Sequence, residues 1–257
     1  MKSHKIEAVT VNHNTSRYME LMLRSLFARH SQKLNLSVTV FDNASTDAMS
    51  ELKAYAASQS VGLVQSGFTT KTTNNPQGEI LSRFVLEHPD CTHYLFLGAD
   101  ICFVEENTIG ALLTELEGHP KAFGIGPRLS WDGLGAIPED ARIANPDICG
   151  DWLPPCCALV RNTALFRTVV SEFGLSAVKY LGVTRDESVE PFKLMTQVMK
   201  THGFKHMISA SSMVLHFFGT SCRCEPVPMR PVAGTKQRDE LLSRYREKLP
   251  ANDLPLT

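Results

Sequence analysis

LSVTVFDNASTDAMSEL, residues 36 to 52, joins a run of strand-forming residues to a cluster of helix-capping ones. Leu36, Val38, Val40 and Phe41 read as a buried strand, and Asp42 and Asn43 end it. Ser45, Thr46 and Asp47 then offer alternative cap oxygens for a helix opening in ASTDAMSEL. The same strand-then-helix unit stands on both sides. IEAVTVN (6 to 12) reads as a buried strand, Asn14, Thr15 and Ser16 offer caps, and Met19, Met22, Leu23, Leu26 and Phe27 recur at helical spacing. VGLVQSG (61 to 67) is a short third strand, and Ile80, Leu81, Phe84 and Val85 mark a third helix. HYLFLGAD (93 to 100) is the fourth strand. Its apolar run ends on Asp100, a carboxylate that requires a partner because an unpaired charge is costly to bury. This alternation predicts an α/β fold with a mostly parallel central sheet flanked by helices.

Beyond the fourth strand, Ile109, Leu112, Leu113 and Leu116 predict a helix stopped by Gly118 and Pro120. Residues 124 to 155, rich in Gly, Pro, Asp and Trp, read as loop-heavy ground. Helices are expected from about Asn162 to Phe173 and from about Ser188 to His202, with a strand over HMISASSMVLHF (206 to 217). The segment KQRDELLSRYREKL reads as a terminal helix after a linker. The expected organisation is one domain over 1–221, in two halves (1–103 and 104–221), followed by a linker and helix over 222–257.

The 257 residues are 43% hydrophobic and 21% charged, enough for a full core. A formal net charge of −1, with no long Lys/Arg block, argues against a nucleic-acid partner. No apolar run reaches membrane-spanning length, and the N-terminus passes straight into a strand without a signal-peptide pattern. The seven cysteines form an odd set with no paired CxxC spacing, so free thiols are expected and zinc is not.

In an open α/β sheet, ligands bind beyond the carboxyl ends of the strands. Here those ends carry Asn12, His13 and Asn14; Asp42 and Asn43; Gln65, Ser66 and Gly67; and Asp100. Taken singly, Asp42 or Asn14 could be only a turn or cap residue. Four consecutive strands bringing polar groups to one edge favour a polar ligand. GxxxxGK[ST] is missing, as is GxGxxG after the first strand, so neither a Walker ATPase nor a typical NAD enzyme is indicated.

VTVNHNTSRYMELMLRSL followed by VTVFDNASTDAMSEL resembles the opening of family-2 inverting glycosyltransferases of GT-A fold, whose second strand ends in D-N-x-S-x-D. The resemblance implies that Asp42 reads the nucleotide base, with Asn43 and Ser45 in the same motif, and that Val11, Asn12, His13 and Asn14 lie against base and ribose. QSGFTTKTTNNPQG (65 to 78) is similar to the family's N-x-G-F landmark, with Gln65 in place of Asn and Gly67 at the glycine. The family's D-x-D metal site is reduced here to GAD, leaving Asp100 as in a rhamnosyltransferase-like subgroup with N-P-D. The resemblance thus implies Mn2+ or Mg2+ on Asp100, and VLHFFGTS (214 to 221) places His216 against the metal or donor phosphates. GDWLPPCCALVRNTALFRTV (150 to 169) is similar to the acceptor-side segment and nominates Asp151 and Trp152, which otherwise read as a surface acid and a core aromatic. RDESVEPFKLMTQVMKTHGFK (185 to 205) stands where relatives carry the catalytic base, with Glu190, Glu187 and Asp186 as alternatives at or just before a helix N-terminus, where capping is the competing explanation.

The implied activity is metal-dependent transfer of a sugar, with inversion, from a nucleotide-diphosphate sugar (a UDP-hexose favoured) to a saccharide or other hydroxyl acceptor. The implied setting is polysaccharide biosynthesis in the cytoplasm, free or peripheral to the inner face of the membrane. Two alternatives stand beside it. A sugar-1-phosphate nucleotidyltransferase needs a Gly-rich loop after the first strand, which NHNTSRYM lacks; a non-catalytic nucleotide-sugar-binding protein is compatible with the shortened GAD.

Overall fold

The structure, a computed structural model, describes residues 4–30, 34–68, 76–130, 151–176, 178–181, 186–189, 191–217, 235–247 and 249. Along the chain run β1 (Lys5–Asn12), α1 (Ser16–Arg29), β2 (Asn35–Asp42), α2 (Ser50–Ser58), β3 (Gly62–Gln65), α3 (Pro76–Glu87), β4 (His93–Leu97), β5 (Ile101–Phe103) and α4 (Thr108–Glu117). They are followed by β6 (Ala122–Ser130), β7 (Cys157–Arg161), α5 (Ala164–Phe173), β8 (Val178–Leu181), β9 (Asp186–Val189), α6 (Lys193–Thr201), β10 (Lys205–His216) and α7 (Thr235–Glu247). Eight strands form one sheet in the order β3-β2-β1-β4-β7-β6-β10-β5, and β8 and β9 form a separate hairpin. The pairs β1–β2, β1–β4, β2–β3 and β6–β10 are parallel, while β4–β7, β6–β7 and β5–β10 are antiparallel.

Alternation in β4 explains why its whole length is apolar. Leu95 and Leu97 enter a core built with α1, α2 and α4 on one face, and Tyr94 and Phe96 enter a second core built with α3, α5 and α6 on the other. A strand covered on both faces reads as a continuous hydrophobic run. The α/β class expected from the sequence is therefore present as helix layers on both sides of a mixed sheet.

Several elements depart from the sequence reading. The ground from residue 124 onward, expected to be loop, begins as β6, a buried strand in the middle of the sheet. Its glycines mark close approach, not a turn: a Cβ on Gly126 would sit 2.9 Å from the Cys157 carbonyl oxygen, and one on Gly124 would sit 2.8 Å from Leu153 Cδ2. The helix expected from about Ser188 starts at Lys193, because Asp186–Val189 pairs antiparallel with Val178–Leu181. Gly118 does follow α4, but in right-handed helical geometry, so its position needs no glycine. Helix α2 begins only at Ser50, and Ser45, Thr46 and Asp47 serve other partners described below.

The terminal helix docks on α1. Leu242 is buried with Leu21, Cys102, Leu215 and Phe217. Glu20, 1% exposed on α1, accepts from Arg24 Nε at 2.9 Å and from Arg246 Nη2 at 2.8 Å, and Arg246 also reaches Glu51 at 2.7 Å. A carboxylate this deep is tolerable only with such pairing.

Helix α4 takes its N-terminal cap from outside. Asn107 makes no side-chain cap bond, and the Ile109 N–H donates instead to His30 Nε2 at 3.0 Å. His30 Nδ1 faces the Leu26 carbonyl at 2.5 Å, so the ring is the neutral Nδ1–H tautomer. Burial, outweighing the Leu26 carbonyl and Glu106, lowers its pKa from 6.5. The folded state thus favours neutral His30, and the unfolded chain takes up more protons as pH falls below 6.5. Urea unfolding is expected to show stability held above pH 6.5 and lost as pH drops toward the lowered value, with the His30→Gln variant losing less over the same interval.

Candidate active site

The carboxyl ends of β1, β2 and β3 lie side by side, with Asn12 opposite Asp42 and Asp42 opposite Gln65. Asn12 is fully buried and is the hub. Its Nδ2 lies 3.0 Å from Ser16 Oγ, 3.1 Å from Asp42 Oδ1 and 3.0 Å from Ser45 Oγ, and its Oδ1 accepts from Thr15 Oγ1 at 2.9 Å. Gln65 Nε2 donates to the other oxygen of Asp42 at 3.1 Å. Asp42, 3% exposed, is therefore fixed by one amide on each side, and each carboxylate oxygen keeps a further lone pair.

The cap residues bind across the two loops. Asp47 accepts from both Ser16 N and Ser16 Oγ at 2.9 Å, so the first turn of α1 is capped from the β2–α2 loop. Asn14, at φ 56°, accepts from Thr46 N at 2.7 Å, and its own N–H donates to Ser45 Oγ at 3.0 Å. His13 Nδ1 lies 2.7 Å from the Asn43 carbonyl, and Asn43 Oδ1 accepts from Ser66 Oγ at 2.8 Å. Gly67 turns the β3 end at φ 75°, where a side chain would be strained. Val11 packs into the α3-side core.

Past β4 the chain makes the Gly98–Asp100 turn and continues as β5. Ile101 is in register with His216 of β10, and Phe217 N donates to the Asp100 carbonyl at 2.9 Å. This pairing sets His216 Nε2 3.3 Å from Asp100 Oδ1, with both side chains largely buried. The partner that the sequence demanded for Asp100 is therefore His216. Adjacent ligands of an octahedral ion with bonds of about 2.1 Å lie about 3 Å apart, so this carboxylate–imidazole pair suits a shared divalent cation.

The other nominated residues stand on other elements or outside the described residues. Asp151 is exposed, its carbonyl accepting from Lys200 Nζ at 2.7 Å, and half-buried Trp152 lies under Lys193 Nζ at 5.0 Å from the ring centre. Asp186 and Glu187 sit on β9 and not at a helix start, because that segment pairs with β8. Glu190 lies outside the described residues. Arg83 of α3 was not signalled by any motif. Its Nη2 donates to the Ser66 carbonyl at 2.7 Å, and its guanidinium covers the rings of Phe41 and Phe68.

No family model matches the sequence, and no curated protein is similar to it in sequence. Solved structures are similar in fold. A mannosyltransferase of Pyrobaculum calidifontis, PcManGT, in complex with GDP-Man and Mn2+, aligns over 95% of this chain and 63% of its own at 15% identity, with a TM-score of 0.58. The chain has a GT-A glycosyltransferase fold. GalNAc-T7 with UDP, GalNAc and Mn2+ is also similar, at 14% identity over 84% of this chain and 44% of that one, TM-score 0.54. So is TarS 1–349 of S. aureus, at 12% identity over 82% and 60%, TM-score 0.51. The chain spans less than two thirds of the length of each.

Asp100 lies three residues past β4, the neighbour of β1 in the sheet, and the pairing of β5 with β10 brings His216 to it. No helix among the described residues is long and apolar enough to cross a membrane. The hub makes a direct prediction. Asn12→Ala removes both donors to buried oxygens and is expected to cost about 1–3 kcal/mol in urea unfolding; Asn43→Ala, which breaks the single Ser66 contact, is expected to cost less.

Proposed function

We propose that this chain transfers a sugar from a nucleotide-diphosphate sugar, a UDP-hexose in the favoured case, to an acceptor hydroxyl with inversion. The observation that carries the reading is the convergence of a locked carboxylate, Asp42, and a carboxylate–imidazole pair, Asp100–His216, on one carboxyl edge of a GT-A sheet. The complexes of the similar proteins with GDP-Man or UDP, each with Mn2+, lend the same direction.

In this reading, Asp42 accepts an N–H of the base. Asn12 and Gln65 keep its oxygens oriented, so little ordering is left for the moment of binding. His13, Asn14 and Asn43 flank base and ribose, with Val11 behind them. Asp100 and His216 would hold Mn2+ or Mg2+, which supplies positive charge against the leaving diphosphate. Asp186, Glu187 or Glu190 takes the proton from the acceptor hydroxyl on the far side of the sugar. Asp151 and Trp152 offer a hydrogen-bonding and stacking surface to the acceptor. A single displacement of this kind needs no enzyme nucleophile at the anomeric carbon.

The test is transfer and hydrolysis across a panel of nucleotide sugars with Mn2+, with the product anomer read by NMR. Turnover with inversion is expected, falling about a hundredfold or more in Asp100→Ala and in the variant of the true base among Asp186→Asn, Glu187→Gln and Glu190→Gln. Unchanged turnover in all four variants would contradict the site. Tight nucleotide binding without turnover in the wild type would favour a non-catalytic binding protein.

A further inference from the structure

At the amino edge of the sheet, roughly 20 Å of strand away from Asp100, a second polar cluster has no part in the reading above. His4 precedes β1, His93 opens β4 and Glu117 closes α4, and one ligand atom from each lies within 4.8 Å of the others. Three details set this group apart from an ordinary surface ion pair.

The first is the tautomer of His93. Thr92 Oγ1 donates to the Lys5 carbonyl at 2.8 Å, which uses its only hydrogen. In the Nδ1–H tautomer, His93 Nδ1 donates to that same oxygen, 3.0 Å away. That leaves Nε2 as a bare lone pair. Fixing one ring nitrogen as donor so that the other faces outward is the arrangement that orients metal-binding histidines.

The second is what Nε2 faces. His93 is 3% exposed, and Nε2 is buried without a hydrogen-bond partner. Glu117 Oε1 lies 3.4 Å away, so in that tautomer two acceptors oppose each other. Burial, with Glu117 opposing it, brings the His93 pKa down to about 4, consistent with a neutral ring. A cation between the buried imidazole lone pair and this partly exposed carboxylate would stabilise both.

The third is the placement of His4. Its ring centre lies 5.4 Å from that of His93, and its backbone neighbour is pinned by the Lys5 N–H donating to Thr92 Oγ1 at 2.9 Å. Arg161 Nη1 donates to Glu117 Oε1 at 2.6 Å and is itself anchored to the carbonyls of Ala122 and Leu116. Arg161 thereby holds the carboxylate beside the imidazoles, and it is also the competing positive charge.

We propose that His4, His93 and Glu117 form a divalent-metal site of the zinc type, distinct from the Asp100–His216 pair, that ties the start of β1 to the start of β4 and the end of α4. Two imidazoles, one carboxylate and a water make a common tetrahedral zinc set. Such a site contains no cysteine, which is why no Cys spacing announces it.

The experiment titrates the chelator-stripped full chain with Zn2+ alone, followed by calorimetry and thermal melting, and with Co2+ followed by visible absorption. An Asp100→Ala background removes uptake at the other edge. In that background about one equivalent of Zn2+ is expected, with a Tm rise of about 2–8 °C and the strong visible bands of tetrahedral Co2+. His4→Ala and Glu117→Gln, both at partly exposed positions, are each expected to weaken binding roughly tenfold or more. His93→Gln serves as a third variant, but its burial makes loss of folding a second cause of failure. No uptake in the Asp100→Ala protein would overturn the proposal, as would uptake that His4→Ala and Glu117→Gln leave unchanged.

Discussion

The contact between Asn12 and Asp42 is the constraint on which the carboxyl edge depends. It joins the last residues of two adjacent parallel strands through a buried amide and a buried carboxylate. Neither group is affordable there alone, because each loses water that only the other and its neighbours replace. The two hydrogens of Asn12 Nδ2 face three acceptors, on Ser16, Asp42 and Ser45, so the first turn of α1 and both loops are drawn toward one nitrogen. Asp47 completes the closure by capping α1 from the neighbouring loop. The result is a floor in which each oxygen of Asp42 is held by a neighbouring amide.

The second half of the edge arises differently. Asp100 and His216 are far apart in sequence and meet because β5 runs antiparallel to β10 directly after the Gly98–Asp100 turn. A Cβ on Gly98 would already lie 3.2 Å from Asp100 Oδ1, so the turn is built tightly around this carboxylate. Phe217, one residue past His216, packs edge-on against Tyr18 and shares a cluster with Leu242 of the terminal helix. The helix that Arg246 clamps to Glu20 thus also backs the strand end carrying His216.

Local chemistry in the sequence revealed the first half of this design more fully than the second. Strands that stop on Asn12, Asp42 and Gln65 were legible because period and turn chemistry change at those residues. HYLFLGAD reads as strand through Asp100, whereas β4 stops at Leu97 and Asp100 sits in the turn before β5. The helix cores around Leu23, Phe84 and Leu112 followed from spacing alone. What stayed hidden depends on contacts between distant segments. Gly124, Gly126 and Pro127 read as loop because the close approach of β7 and Leu153 that demands small residues is not a local property. The β8–β9 hairpin was masked by the acidic residues and the helical spacing that follows it, which moved Asp186 and Glu187 from an expected helix start to a strand. Ser45, Thr46 and Asp47 read as alternative caps for the helix they precede, whereas Asp47 caps α1, since a side chain three residues before Ser50 fits either role from local sequence. His30 capping α4 and Arg83 over Phe41 and Phe68 had no sequence signal.

A crystal structure of the full chain with UDP and Mn2+, recorded at the manganese edge, tests this most directly. The account predicts an anomalous peak about 2.2 Å from the Asp100 carboxylate, His216 beside it, the diphosphate against the ion and a base N–H on Asp42. Nucleotide bound away from the carboxyl edge, or manganese held without Asp100, would contradict it.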